Sequence, residues 1–285
     1  MRVADNKVAS IMAQYRKDLA PMYDDREVGA ILATVFNDRL GWDRAQLELR
    51  RNEPLHEHEL LLVHGPLARL ISGEPVQYVL GSVPFHGLSI TVAPGVLIPR
   101  PETEEMVHRI ISSGVRPSCV VDIGTGSGCI ALALKQAYPG AEVVGMDISE
   151  AALVIAEGNR KRLGLDVSFR RADVLDTAFA LPYGSDLVVS NPPYIPRAEE
   201  NELEPHVKDH EPHIALFVED DDPLLFHRAI AVRAGQALVQ GGTLWFEAHH
   251  RYAEAVAAMV VEHGFSDVKL HADLSGRPRT IQAIR

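Results

Sequence analysis

Cys119-Val-Val-Asp-Ile-Gly-Thr-Gly-Ser-Gly-Cys129 is an apolar run ending in glycines at 124, 126 and 128, followed at once by the helix-prone segment Cys129 to Ala137. A strand that breaks into a glycine turn and re-forms as a helix lets backbone approach a ligand closely. It also aims the first N–H groups of the helix at that ligand. The spacing is Gly-x-Gly-x-Gly, so the dinucleotide fingerprint Gly-x-Gly-x-x-Gly is not met.

Working outward, β-prone segments recur near Glu142 to Met146, Val167 to Arg171, Asp186 to Val189, Gly242 to Glu247, Asp267 to His271 and Thr280 to Ile284, with helical stretches between most of them. Strands separated by crossover helices predict a mostly parallel sheet covered on both faces. Upstream the texture differs. Val28, Ile31, Leu32, Val35, Phe36 and Leu40 fall on one helical face, with acidic residues before them and Gly41 after. Lys7 to Leu19, Asp43 to Arg50 and His56 to Ile71 read as further helices, so residues 1–75 predict a small helical domain. Residues 76–98 predict a linker built on a hairpin, Val83 to Phe85 and Leu88 to Val92 around His86-Gly87, and 99–285 the sheet domain. Thr103 is expected to cap the helix that follows Ile98-Pro-Arg-Pro101, with Glu104 and Glu105 in its first turn.

With 285 residues, 46% of them hydrophobic, the chain can bury a large core, and its net charge of −11 offers no general attraction to phosphate backbones. The two cysteines, Cys119 and Cys129, form neither a Cys-x-x-Cys pair nor a disulfide framework, which predicts a reducing, cytoplasmic setting. No apolar run reaches membrane-spanning length and no export signal is legible. Pro205 and Pro212 make a regular helix around His206, His210, Glu211 and His213 unexpected, so these read as a polar loop rather than a metal site. The acidic run Glu219 to Asp222 reads as a solvated loop.

Two further features point to chemistry. Asp147 ends the second strand, where a carboxylate accepts from both hydroxyls of a ribose, with Ser149 as the cap of the next helix. Asp173 follows the third strand and is placed to meet an adenine amine. With the glycine loop Gly124, Thr125, Gly126, Ser127 and Gly128, this pattern fits S-adenosylmethionine. Asn191-Pro192-Pro193-Tyr194 follows the fourth strand. A planar NH₂ is a poor nucleophile that must be oriented. The Asn191 side-chain oxygen and the Pro192 carbonyl suit its two N–H donors, and the Tyr194 ring its flat face. Glu247, at the end of the fifth strand, is not assigned as a general base, because the proton can leave after methyl transfer.

These residues, with Leu97-Ile-Pro-Arg-Pro-Glu-Thr-Glu104 and Glu211-Pro-His-Ile-Ala-Leu216, resemble the HemK/PrmC family of protein-glutamine methyltransferases. The resemblance covers nearly the whole chain. It implies a Rossmann-like class I S-adenosylmethionine-dependent methyltransferase that modifies the glutamine of a Gly-Gly-Gln loop in peptide chain release factors. It also implies a small N-terminal helical domain for substrate docking. By the same resemblance, Gly124 to Gly128, Asp147, Asp173, Val174 and Asn191 hold the cofactor, and Asn191 to Tyr194 grip the substrate amide. No metal, nucleic acid or membrane partner is implied. Where the family has a glycine-containing stretch, this chain has Phe217-Val-Glu-Asp-Asp-Asp-Pro223. A glutamine of a large-subunit ribosomal protein and an adenine amine of nucleic acid are the alternative acceptors. Acidity and the lack of a long target-recognition insertion count against the second.

Overall fold

The computed structural model describes residues 5–285. They pack as two compact units, one ending at Gly81 and including Pro205–His210, the other comprising Ser82–Glu204 and Glu211–Arg285.

The first unit is a bundle of α1 (Val8–Leu19), α2 (Asp25–Leu40), α3 (Arg44–Leu49), α4 (Glu57–His64), α5 (Leu67–Ile71) and α6 (Val76–Leu80). Helix α2 starts where Asp24 and Glu27 satisfy each other's backbone N–H groups in a capping box, and it ends where Gly41 adopts a left-handed φ of 70°. Its apolar stripe meets Ile11, Tyr15, Val63 and Leu70 in a dry core. The stretch expected to run from His56 to Ile71 is broken at Gly65-Pro66 into α4 and α5, because a proline inside a helix clashes with the preceding turn.

The second unit opens with the hairpin β1 (Ser82–Phe85) and β2 (Leu88–Thr91), whose turn residues His86 and Gly87 both have positive φ, as a two-residue turn matched to strand twist requires. The hairpin is fastened to this unit by the buried Asn159 side chain, which accepts from Thr91 N (2.8 Å) and donates to Thr91 O and Ser127 O (both 3.0 Å).

There follow α7 (Pro101–Ser112), β3 (Cys119–Ile123), α8 (Cys129–Ala137), β4 (Glu142–Asp147), α9 (Glu150–Leu163), β5 (Ser168–Arg171) and β6 (Ser185–Ser190). After them come β7 (Ile195–Pro196), a 3-10 turn Arg197–Glu202, α10 (Pro205–Lys208), α11 (His213–Leu216), β8 (Phe217–Val218) and α12 (Leu225–Ala237). The chain closes with β9 (Leu238–Glu247), α13 (Ala253–Glu262), β10 (Ser266–Ala272) and β11 (Pro278–Ile284). The main sheet runs β10-β11-β9-β6-β3-β4-β5, with β9, β6, β3, β4 and β5 parallel and β11 inserted antiparallel between β9 and β10. All seven strands read from the sequence are present, and the inner ones are buried through Val120, Val121, Val143, Val144, Leu187 and Val188, as a sheet covered on both faces demands.

Two local expectations are corrected. Helix α7 begins at Pro101 rather than after Thr103, because proline suits the first helical position, where its missing N–H has no partner to lose. Thr103 therefore lies inside the first turn, 3% exposed, and caps nothing. The segment expected to be loop around Pro205 and Pro212 holds two single turns: α10 starts on Pro205, for the same reason, and α11 follows Pro212, which stays extended as its N-cap. The run Phe217–Pro223 also gains a shape: Phe217 and Val218 pair in parallel with Ile195 and Pro196, directly after Tyr194.

Candidate active site

The carboxyl ends of β3, β4 and β6 carry Gly124, Asp147 and Asn191, and these three line one cavity with Gly126, Asp173, Val174, Pro192 and Pro193. Ligands of open α/β sheets bind outside the strand ends in this way. β3 and β6 are hydrogen-bonded neighbours in which Ile123 faces Ser190, and the Ser190 hydroxyl donates to Ile123 O (2.6 Å), so the glycine loop and the Asn191 turn leave the sheet side by side.

The glycine loop is held from beneath. Gly124 N and Thr125 N both donate to Met146 O on β4 (2.8 and 2.9 Å), and Gly126 N donates to Asp147 Oδ2 (2.8 Å). Asp147 Oδ1 accepts from Ser149 N (2.9 Å), the residue that caps α9. Burial raises the Asp147 carboxyl above the usual carboxylate range, against the backbone N–H groups that favour its charge. Asp173 Oδ1 accepts from Leu175 N (2.8 Å), and Val174 packs against the sheet core.

Three residues read from the sequence as cofactor contacts have structural work of their own. Thr125 is buried and donates to Asp122 Oδ2 (2.6 Å), and Ser127 is buried at 2% exposure. A Cβ on Gly128 would stand 2.8 Å from Phe169 and 3.2 Å from Ala156, so packing of α8 on its neighbours, together with a φ of 81°, requires glycine there. None of the three lines the cavity. Asp122 itself is fully buried, with Ala131 N on its Oδ2 (3.2 Å) and no partner on Oδ1, and burial pushes its carboxyl up to about 7.

On the other wall, a chain of hydrogen bonds runs through the Asn191 turn. Asn191 Nδ2 donates to Thr103 Oγ1 (3.0 Å), Thr103 Oγ1 donates to Glu247 Oε2 (2.6 Å), and Tyr194 Oη donates to Glu247 Oε1 (2.9 Å). Glu247 is 1% exposed, and its backbone O accepts from His227 Nε2 (3.0 Å). Burial raises the Glu247 carboxyl, opposed by the Thr103 and Tyr194 hydroxyls and by Arg279. Burial likewise keeps the Tyr194 hydroxyl protonated, well above its ordinary value. Tyr194 is thus tethered by its hydroxyl and tilted against the His249 ring (6.0 Å between centroids), and it is not among the residues lining the cavity.

The remaining wall of the cavity was not read from the sequence as part of the site. Gly95, Val96, Leu97, Pro212, Ile214 and Ala215 line the cavity, and the fully buried Glu211 side chain joins their two segments by accepting from Arg100 Nη2 (2.6 Å) and Ile98 N (3.0 Å). The signal was an acidic residue and a Pro-Arg-Pro segment 111 positions apart, which no local periodicity connects. Glu211 is therefore an ion-pair partner, while His213 lies edge-on to Phe217.

Against known proteins, residues 13–81 match the PrmC N-terminal domain and residues 105–205 the Methyltransferase small domain. A solved methyltransferase from Pyrococcus furiosus shares the fold, with a TM-score of 0.51 over 70% of this chain and 89% of that one at 16% identity. Fold and matched domains together define a methyltransferase. The chain is 39% identical to the release factor glutamine methyltransferase of Bacteroides thetaiotaomicron, over 96% of this chain and 99% of that one. It is 35% identical to that of Flavobacterium psychrophilum, over 96% and 98%, and 39% identical to that of Geobacter sulfurreducens, over 87% and 86%. The chain belongs to the release factor glutamine methyltransferase family.

Proposed function

We propose that the protein transfers a methyl group from S-adenosylmethionine to the side-chain amide nitrogen of the Gly-Gly-Gln glutamine of a peptide chain release factor, in the cytoplasm. The observation that carries this reading is the pairing of β3 with β6, which sets the glycine loop and the Asn191 turn beside each other at one cavity.

The cavity suits an adenosyl group. Asp147 offers a carboxylate to ribose hydroxyls, while Ile148, Val174 and Phe179 give apolar walls for a flat ring and Asp173 an acceptor at its edge. When bound, the sulfonium supplies an electrophilic methyl group. The residues of the turn do the orienting. Asn191 has its NH₂ committed to Thr103, so its Oδ1 is the end that accepts from the substrate NH₂, with the Pro192 carbonyl as the second acceptor. Held by both N–H groups, the substrate nitrogen presents the face from which its lone pair can act, and the proton is lost to solvent afterwards. The unit ending at Gly81 serves to dock the release factor.

Methyl transfer from labelled S-adenosylmethionine to a release factor, a large-subunit ribosomal protein and DNA, offered side by side, tests the assignment. Label on the release factor glutamine is the expected result. Label confined to the ribosomal protein or to DNA would overturn it.

Asp147→Ala is expected to weaken S-adenosylmethionine binding by at least about tenfold, since each charge-assisted hydrogen bond is worth about 1.5 to 3 kcal/mol. The same substitution frees Gly126 N, so the loop loses its tether along with the ribose its acceptor. Titration calorimetry measures this directly, and unchanged affinity would remove Asp147 from the site.

A further inference from the structure

We propose that Glu247, acting through Thr103, is a positioning residue that fixes which end of the Asn191 amide faces the substrate. The inference rests on the reading of Asn191 as the amide clamp.

Against its burial, the Thr103 and Tyr194 hydroxyls and the charge of Arg279 favour the ionised form of Glu247. A carboxylate only accepts, and a threonine hydroxyl has one proton to give. Thr103 Oγ1 lies 2.6 Å from Glu247 Oε2, so its proton is spent there, and toward Asn191 it can only accept. The group of Asn191 within 3.0 Å of that hydroxyl must then be the donor, Nδ2, which leaves Oδ1 for the substrate. Tyr194 Oη occupies the other carboxylate oxygen at 2.9 Å, so the same carboxylate ties down the fourth residue of the turn. Reversing the Asn191 amide would set two acceptors, its Oδ1 and the Thr103 oxygen, against each other in a site where Thr103 and Glu247 are 3% and 1% exposed. An unmade hydrogen bond is costly in such surroundings. The geometry follows from the fold. Glu247 ends β9, whose Phe246 pairs with Ser190 on β6, so the carboxylate sits beside Asn191, and Thr103 reaches both from the first turn of α7.

The test is a double-mutant cycle in single-turnover methyl transfer, with cofactor affinity followed by calorimetry. Thr103→Val keeps the shape and removes the relay. It is expected to slow transfer about 10- to 100-fold with unchanged S-adenosylmethionine affinity, and Thr103→Ser is expected to restore most of the rate. In an Asn191→Ala background Thr103→Val should cost less than about twofold, because residues that act through one another are not additive. Glu247→Gln, which offers Thr103 a donor as readily as an acceptor, should also slow transfer in the native background and lose its effect beside Asn191→Ala. The acceptor is whichever substrate the wild type methylates, so a wrong assignment of the release factor shows in the wild type and leaves the cycle intact. A readout without acceptor accompanies it: the Asn191 side-chain NH₂, observed by NMR with labelled asparagine, should exchange slowly with water in the wild type and faster in Thr103→Val. Equal cost of Thr103→Val in both backgrounds, or unchanged exchange, would make Thr103 a packing residue and overturn the relay. A Glu247→Gln enzyme as fast as the wild type would overturn the part given to Glu247.

Discussion

Replacing Asn191 by alanine is expected to lower single-turnover methyl transfer about 100- to 1000-fold, the loss typical of removing one preorganised polar contact from a water-poor active site. Cofactor affinity should fall far less than transfer, since the glycine loop and the Asp147 carboxylate are carried by β3 and β4 and bonded to each other, whereas the turn follows β6. Asn191→Asp sharpens the result. The Asn191 NH₂ donates to Thr103, whose own proton goes to Glu247, so an aspartate there would face an acceptor and bring a second negative charge to within one hydroxyl of a buried carboxylate. An acceptor oxygen remains toward the substrate, but the clamp loses its anchor, so Asn191→Asp is expected to be impaired too. Calorimetry with S-adenosylmethionine separates the two effects. Near wild-type transfer by Asn191→Ala would refute the amide clamp.

The second large effect concerns stability. Asp122 is fully buried and its carboxyl is pushed up to about 7, from 3.8 in an unfolded chain. A folded-state value above the unfolded one means that the folded protein holds the proton more tightly. Stability is then greatest at low pH and declines as pH rises from the unfolded value through the folded one. Asp122→Asn mimics the protonated acid, keeping an acceptor for Thr125 and Ala131 without the charge. At about 1.4 kcal/mol per pKa unit, its advantage over the wild type should be on the order of 2 to 3 kcal/mol greater at pH 8 than at pH 5. His227 acts oppositely in both proteins: burial pulls it down to about 4 from 6.5, so it costs stability as pH falls between those values, and it cancels in the comparison. Thermal melts of the pair at both pH values decide the matter, and an advantage that does not grow with pH would show that Asp122 carries no such shift.

Much of this was legible because it is local. The run from Cys119 through Ala137 contains its own strand, turn and helix, and all seven strands of the main sheet could be read from apolar runs and their breaks. What local pattern did not show shares one cause. Thr103 looks like a cap, yet Pro101 takes the first helical position and turns its hydroxyl inward to Glu247, 144 residues away. Tyr194 looks like an open stacking platform, and its hydroxyl is claimed by the same carboxylate. The Glu211 and Arg100 pair was invisible for a like reason. Strand periodicity reports the face a residue takes, not which distant side chain completes its hydrogen bonds.

The adjacency of β3 and β6 has one more consequence. The sites given to donor and acceptor leave the sheet from Ile123 and Ser190, residues already opposite each other in a parallel ladder, whose strands lie about 4.8 Å apart wherever such ladders form. The backbone therefore acts as a ruler. Side-chain substitutions can reshape what enters the cavity, but the separation at which the glycine loop and the Asn191 turn leave the sheet is a property of peptide geometry. A lineage changing its acceptor must rebuild the rim and would inherit the distance unchanged.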